Sequence, residues 1–120
     1  MKVVVVEDDI LLFRHYERIL KRAKIEVFHA SHAVKAIDVI DDAQPDLIIA
    51  DMLLTGSTAL PLLHELQSHD DLAQIPVIVV TNLAGDMTLD TLKPYGVKRL
   101  LDKMTMKPND LVAVVRSMMI

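Results

Sequence analysis

Glu7, Asp8, Asp51, Thr81 and Lys103 are the residues of this chain whose types and placement can do chemistry. Each follows an apolar run. Glu7, Asp8 and Asp9 come after residues 3–6, Asp51 after Leu47-Ile48-Ile49-Ala50, Thr81 after residues 77–80, and Lys103 shortly after Leu100-Leu101. Short apolar runs that end in a polar functional group read as buried parallel strands with chemistry at their carboxyl ends. In an open α/β sheet, ligands bind beyond that edge. Carboxylates arriving there from two strands repel, so one tends to stay protonated unless a cation lies between them. Mg²⁺ suits such a place, because it takes oxygen ligands octahedrally, one or two of them carboxylates, and shares the rest with waters and a phosphate. Glu7, Asp8 and Asp51 supply that set, and a backbone carbonyl just after Asp51 can add another oxygen. Phosphoryl transfer also needs a cation on the equatorial oxygens and a nucleophile in line. An aspartate can be that nucleophile by forming an acyl phosphate.

Each residue has a plainer reading. Glu7-Asp8-Asp9 alone would be the acidic start of a helix, where negative charge is favoured anyway. Thr81 alone would be a β-branched strand residue, and Lys103 a surface lysine. Asp51 shifts the balance, since no helix starts directly behind it. Position promotes the other two, because successive strand ends deliver carboxylate, carboxylate, hydroxyl and ammonium to one edge. His15, His29, His32, His64 and His69 share no ligand spacing, and none is expected at a strand carboxyl end. They receive no role, with His64 and His69 read as solvent-facing.

These side chains need a scaffold that alternates strand and helix five times. Residues 3–6 read as the first strand. Residues 10–23 follow as a helix with Phe13, Tyr16, Ile19, Leu20 and Ala23 on one face. Residues 25–30 form a strand, and Ser31 is placed to cap a helix whose apolar positions are Val34, Ile37 and Ile40. Residues 47–50 are the third strand. A turn at Thr55-Gly56 leads into a helix carrying Ala59, Leu62, Leu63 and Leu66. Residues 75–80 are the fourth strand; the next helix, roughly residues 86–93, has a poor apolar stripe and ends at Pro94-Tyr95-Gly96. Residues 97–101 supply a short fifth strand, and the last helix opens near Pro108 with Leu111, Val114, Val115 and Met118 inward. The pattern predicts a single α/β domain over residues 1–120: a doubly wound, five-stranded parallel sheet between two helix layers.

Composition narrows the function. The chain has 120 residues and a net charge of −4, which argues against a nucleic-acid surface. Arg14, Arg18, Lys21 and Arg22 read as the solvated face of one helix. Apolar residues make up 52% but aromatics only 3%, so the core must be aliphatic, with methionines filling gaps. Without cysteine there is neither a disulfide framework nor a thiolate metal site. No signal peptide or membrane-spanning run is expected, and the location expected is cytoplasmic.

Taken together, the motifs resemble a receiver domain of the two-component response regulators over the whole chain. They are Val5-Val6-Glu7-Asp8-Asp9, Pro45-Asp46-Leu47-Ile48-Ile49-Ala50-Asp51-Met52, Ile75-Pro76-Val77-Ile78-Val79-Val80-Thr81 and Leu101-Asp102-Lys103, and intervals of 43, 30 and 22 residues separate Asp8, Asp51, Thr81 and Lys103. The resemblance implies the flavodoxin-like strand order 2-1-3-4-5. It implies that Asp51 accepts a phosphoryl group from a sensor histidine kinase or phosphotransfer protein, and that Glu7, Asp8 and Asp51 bind Mg²⁺ with the Leu53 carbonyl. Thr81 would hydrogen-bond the phosphoryl group and shift with it, and Lys103 would pair with its oxygens. Such a domain is a switch rather than an enzyme, promoting only its own phosphorylation and dephosphorylation, and a homodimer is one form its output could take.

The departures from the family bear on output. Met104 follows Lys103 where proline is usual, and a trans bond is expected there because a non-proline cis bond costs about 3–4 kcal/mol. The stretch from Lys103 to Pro108 is one residue longer than the common form. Leu100 stands where the family usually has an aromatic that rotates, Asn82 replaces a small residue, and Thr55 replaces a frequent proline. The response is therefore expected in residues 82–93 and 103–108, with Leu100 staying packed. Three other readings compete. A docking module that is never phosphorylated would fit Met104 and Leu100. An aspartyl-phosphate phosphatase would want a second aspartate two residues after its nucleophile. A flavodoxin-like cofactor binder would want a phosphate-cradling loop where Glu7-Asp8-Asp9 would repel one.

Overall fold

The computed structural model describes residues 1–54, 57–82 and 88–118. Its elements run β1 (Lys2–Val6), α1 (Ile10–Arg22), β2 (Glu26–Ala30), α2 (Ala33–Ala43), β3 (Leu47–Asp51), β4 (Leu53–Leu54), β5 (Ser57–Thr58), α3 (Leu60–Gln67), β6 (Val77–Thr81), α4 (Leu89–Leu92), β7 (Val97–Asp102) and α5 (Pro108–Ser117). The main sheet has the order β2-β1-β3-β6-β7 with every pairing parallel. This is the doubly wound parallel sheet the sequence pattern predicts, in the 2-1-3-4-5 order the family resemblance implies. The short antiparallel pair β4–β5 is an addition. The turn expected at Thr55-Gly56 falls between those two strands, outside the described residues.

Strand alternation sorts the core into two layers. Val4, Val6, Ile48, Ala50, Val77 and Val79 face one way and pack against α2, α3 and α4. Val3, Val5, Leu47, Ile49, Ile78 and Val80 face the other way against Phe13, Tyr16 and Leu20 of α1 and Leu111 and Val115 of α5. Because β1, β3 and β6 are covered on both faces, they read as unbroken apolar runs, and their last residues are held by the packing of the whole sheet.

Several local expectations are corrected. α2 is capped at His32, not Ser31, without a side-chain cap bond. Val34 is 89% exposed while Ala36, Ile40 and Ala43 are buried, so the inward stripe is rotated from the one expected. The fourth helix covers only Leu89–Leu92, capped by the Thr88 hydroxyl accepting from Thr91 N–H. A 3₁₀ turn, Lys93–Tyr95, then ends at Gly96 in the left-handed region. The expected start at Asp86 and Met87 lies outside the described residues.

Candidate functional site

The acidic run after β1 is divided by local structure. Asp9 caps α1, accepting from Leu11 and Leu12 N–H at 3.0 and 3.2 Å. That is the plain helix-start role. Glu7 goes elsewhere: its backbone N–H donates to the Ala30 carbonyl at 3.1 Å, and its side chain turns into the sheet edge at 1% exposure. Asp51 ends β3, also buried, with the Leu53 N–H donating to its Oδ1 at 3.2 Å. Lys103 follows β7, and its N–H donates to the Thr81 carbonyl at 3.1 Å, locking the ends of β6 and β7 together. Thr81 itself is fully buried.

These ends converge. Lys103 Nζ lies 3.2 Å from Glu7 Oε1 and 2.5 Å from Asp51 Oδ2, so one ammonium bridges carboxylates from two strands. Glu7, Asp8 and Asp51 each offer an oxygen within 4.8 Å of the others, a grouping that could hold a metal ion. Glu7 Oε2 is buried without a hydrogen-bond partner among the described residues. A buried carboxyl oxygen left unpaired is costly, and either a proton or a cation satisfies it. The donor set is all oxygen, which fits Mg²⁺. Burial, then the hydrogen bond and negative charge of Asp51, push the Glu7 carboxyl up to about 8 against the pull of Lys103. Burial opposes the charge on Lys103, but the Asp51 bond and the charges of Glu7 and Asp51 outweigh it and raise its pKa. Tyr16, buried on α1, is raised by that burial and by the charges of Glu7 and Asp51.

A family model described as the response regulator receiver domain matches residues 3–116. The chain belongs to that family. It is 30% identical over 119 residues to a protein of Pyropia yezoensis named "Probable transcriptional regulator ycf29", covering 98% of this chain and 52% of that one. It is 27% identical over 101 residues to the polar-differentiation response regulator DivK of Brucella anthropi, covering 84% of this chain and 82% of DivK. The chain thus spans about half the length of the first relative and most of the second. The BeF3-activated N-terminal receiver domain of Klebsiella pneumoniae RstA superposes with a TM-score of 0.85 at 27% identity, covering 98% of this chain and 97% of that one. Receiver domains are signalling switches that interact with histidine kinases or phosphotransfer proteins and bind Mg²⁺ at an acidic pocket.

Within this receiver domain the departures take physical form. No described peptide bond is cis, so Lys103–Met104 is trans as expected. The following residues form a held turn rather than a loose loop: Met104 N–H donates to Asp102 Oδ1 at 2.8 Å, and Thr105 and Met106 N–H donate to the Asp102 carbonyl. Leu100 is half-buried against the core layer of α2, α3 and α4, and Asn82 is exposed. No helix among the described residues is long and apolar enough to cross a membrane.

Two features were missed in the sequence. His29 is the fourth residue of β2, near its carboxyl end, and its Nε2 lies 2.7 Å from the Glu7 carbonyl, contrary to the expectation that no histidine reaches that edge. The second is a rim of exposed large apolar side chains: Ile10, Leu11, Val34, Leu53, Leu60 and Met104. Each lies in a first helical turn or a connection following a main-sheet strand, so all belong to the carboxyl edge.

Proposed function

We propose that this chain, a single receiver unit over residues 1–120, is a cytoplasmic signalling switch that takes a phosphoryl group onto Asp51. The donor is the phosphohistidine of a sensor histidine kinase or phosphotransfer protein. An Asp51 carboxylate oxygen forms the new P–O bond as the P–N bond breaks, and the electron pair returns to the imidazole nitrogen, which takes up a proton. Asp51 becomes an acyl phosphate. Glu7, Asp8, Asp51 and the Leu53 carbonyl are the ligands proposed for Mg²⁺, which when bound neutralises charge developing on the phosphoryl oxygens. Met52 is a poorer ligand candidate than Leu53, since its carbonyl accepts from Ala59 N–H at 2.8 Å. Lys103 transfers its contact from the Asp51 oxygen to the phosphoryl group, and the Thr81 hydroxyl takes another of its oxygens.

The observation that carries this reading is the Lys103 bridge between Glu7 and Asp51 beside the unpartnered Glu7 Oε2. Once Glu7 gives up its proton, it and Asp51 outweigh the single ammonium, and a divalent cation followed by a phosphoryl dianion restores balance. The exposed large apolar side chains at this edge support a protein donor, since such residues set around a polar centre suit an interaction surface. The domain acts on itself and does not turn over a separate substrate. Incubation with a small phosphodonor and Mg²⁺ should add one phosphoryl group, labile to base and to hydroxylamine as an acyl phosphate is. Failure of any donor to modify the protein would favour the unphosphorylated docking module instead.

A further inference from the structure

We propose that His29 is a positioning residue for the acidic site, its ring N–H clamping the Glu7 carbonyl so that Glu7 and Asp8 are held in ligating geometry. The inference rests on the Mg²⁺ reading above. A carbonyl oxygen only accepts, so the contact at 2.7 Å requires the proton on Nε2. The ring cannot swing away freely, because it stacks on Phe13 with centroids 3.7 Å apart and planes 9° from parallel. Phe13 is itself buried on the inner face of α1.

Glu7 is consequently fixed on both sides of its own residue. Its N–H reaches the Ala30 carbonyl and its C=O receives the His29 N–H, both from the end of β2. Two residues later Asp9 is fixed in turn, its side chain capping α1 and its carbonyl accepting from Phe13 N–H at 2.9 Å. Asp8 lies between these two anchors. A carboxylate pair that must converge with Asp51 gains from being held before the ion arrives, as outer partners of ligands do in metal sites. The fold does not require this donor. β2 is an edge strand already paired with β1 from Lys2↔Glu26 to Val6↔Ala30, and any flat apolar ring would stack on Phe13.

Two substitutions separate donor from ring. His29→Phe keeps a stacking ring and removes the N–H; His29→Gln removes the ring and keeps an amide donor. Amide hydrogen exchange of the full chain without Mg²⁺ is the first readout. His29→Phe should speed exchange at Asp8 and Asp9 by about tenfold, with the melting temperature unchanged, and should weaken Mg²⁺ by about tenfold in calorimetry. His29→Gln should stay near the wild type in both. Wild-type exchange at Asp8 and Asp9 in His29→Phe would overturn the proposal, as would equal loosening in both variants. A wild type that binds no Mg²⁺ would refute the metal reading, while the metal-free exchange comparison still decides the role of His29.

Discussion

The two halves of the sheet's carboxyl edge are built differently. In the β1–β3–β6 part, the strands β3 and β6 are buried along their whole length, and the Glu7 and Asp51 side chains are tied to one another by Lys103, which reaches across from the end of β7. At the β7–α4 half, the edge strand is buried at Val97 only, and α4 is four residues long with Leu92 as its buried member. The chemical half is thus over-determined by core packing, while the half expected to report on it has few buried residues among those described. A domain divided this way can keep its chemistry constant while the output side rearranges at small cost.

Lys103→Met should have the largest effect on the tight half. It leaves Glu7 and Asp51 without their ammonium, and breaking a buried pair costs about 3 kcal/mol. Thermal or urea unfolding at pH 8–9 should show this, with a smaller loss at pH 6, where Glu7 keeps its proton. A variant as stable as wild type at both values would break the contrast between the halves.

Protons should compete with Mg²⁺ for the same half. Because the Glu7 carboxyl is raised to about 8, the metal-free site holds a proton at neutral pH that the ion must displace. Affinity should therefore rise with pH and level off above about 8, approaching about tenfold per pH unit below it. The sign for folding is opposite: the folded chain binds this proton more tightly than the unfolded one, so this group's contribution to stability declines as pH rises from 4.5 toward 8. Calorimetric Mg²⁺ titrations between pH 6 and 9 in buffers of different ionisation heat check both the slope and the proton release. Asp8→Asn should weaken the ion by about tenfold, or 1.4 kcal/mol.

At the amino end of β7, away from the site, Gly96→Ala should cost about 1 kcal/mol in chemical unfolding. Gly96 has φ +82°, and a Cβ there would meet Gln67 Nε2 at 2.7 Å, where that amide donates to the Tyr95 carbonyl. With a beryllium fluoride adduct as phosphate mimic, hydrogen exchange should change in residues 82–93 and 103–108 while Leu100 stays protected. Changes confined to α1 and α2 would reverse the assignment of the two halves.

The strand ends were legible because each apolar run closes on a polar group, a pattern that survives any detail of packing. Asp51, Thr81 and Lys103 could be located that way, and the Glu7–Asp8 pair could be separated from Asp9 only once the helix cap was seen. Val34 and Ser31 misled for a related reason: α2 begins one residue later, at a cap whose side chain makes no bond, and the apolar face turns with it. His29 left no mark in the linear pattern beyond sharing a strand face with Val27. Its contact depends on the β1–β2 register, Val5↔His29, and on the rotation of α1 that brings Phe13 over the ring. Tertiary register of this kind is not written in one segment's periodicity.

Phosphorylation at Asp51 is the centre of the account. Intact-mass and peptide mapping after incubation with a small phosphodonor and Mg²⁺ should find one phosphoryl group on Asp51, absent without the metal and absent in Asp51→Asn. Modification on another residue, or undiminished in that variant, would contradict it.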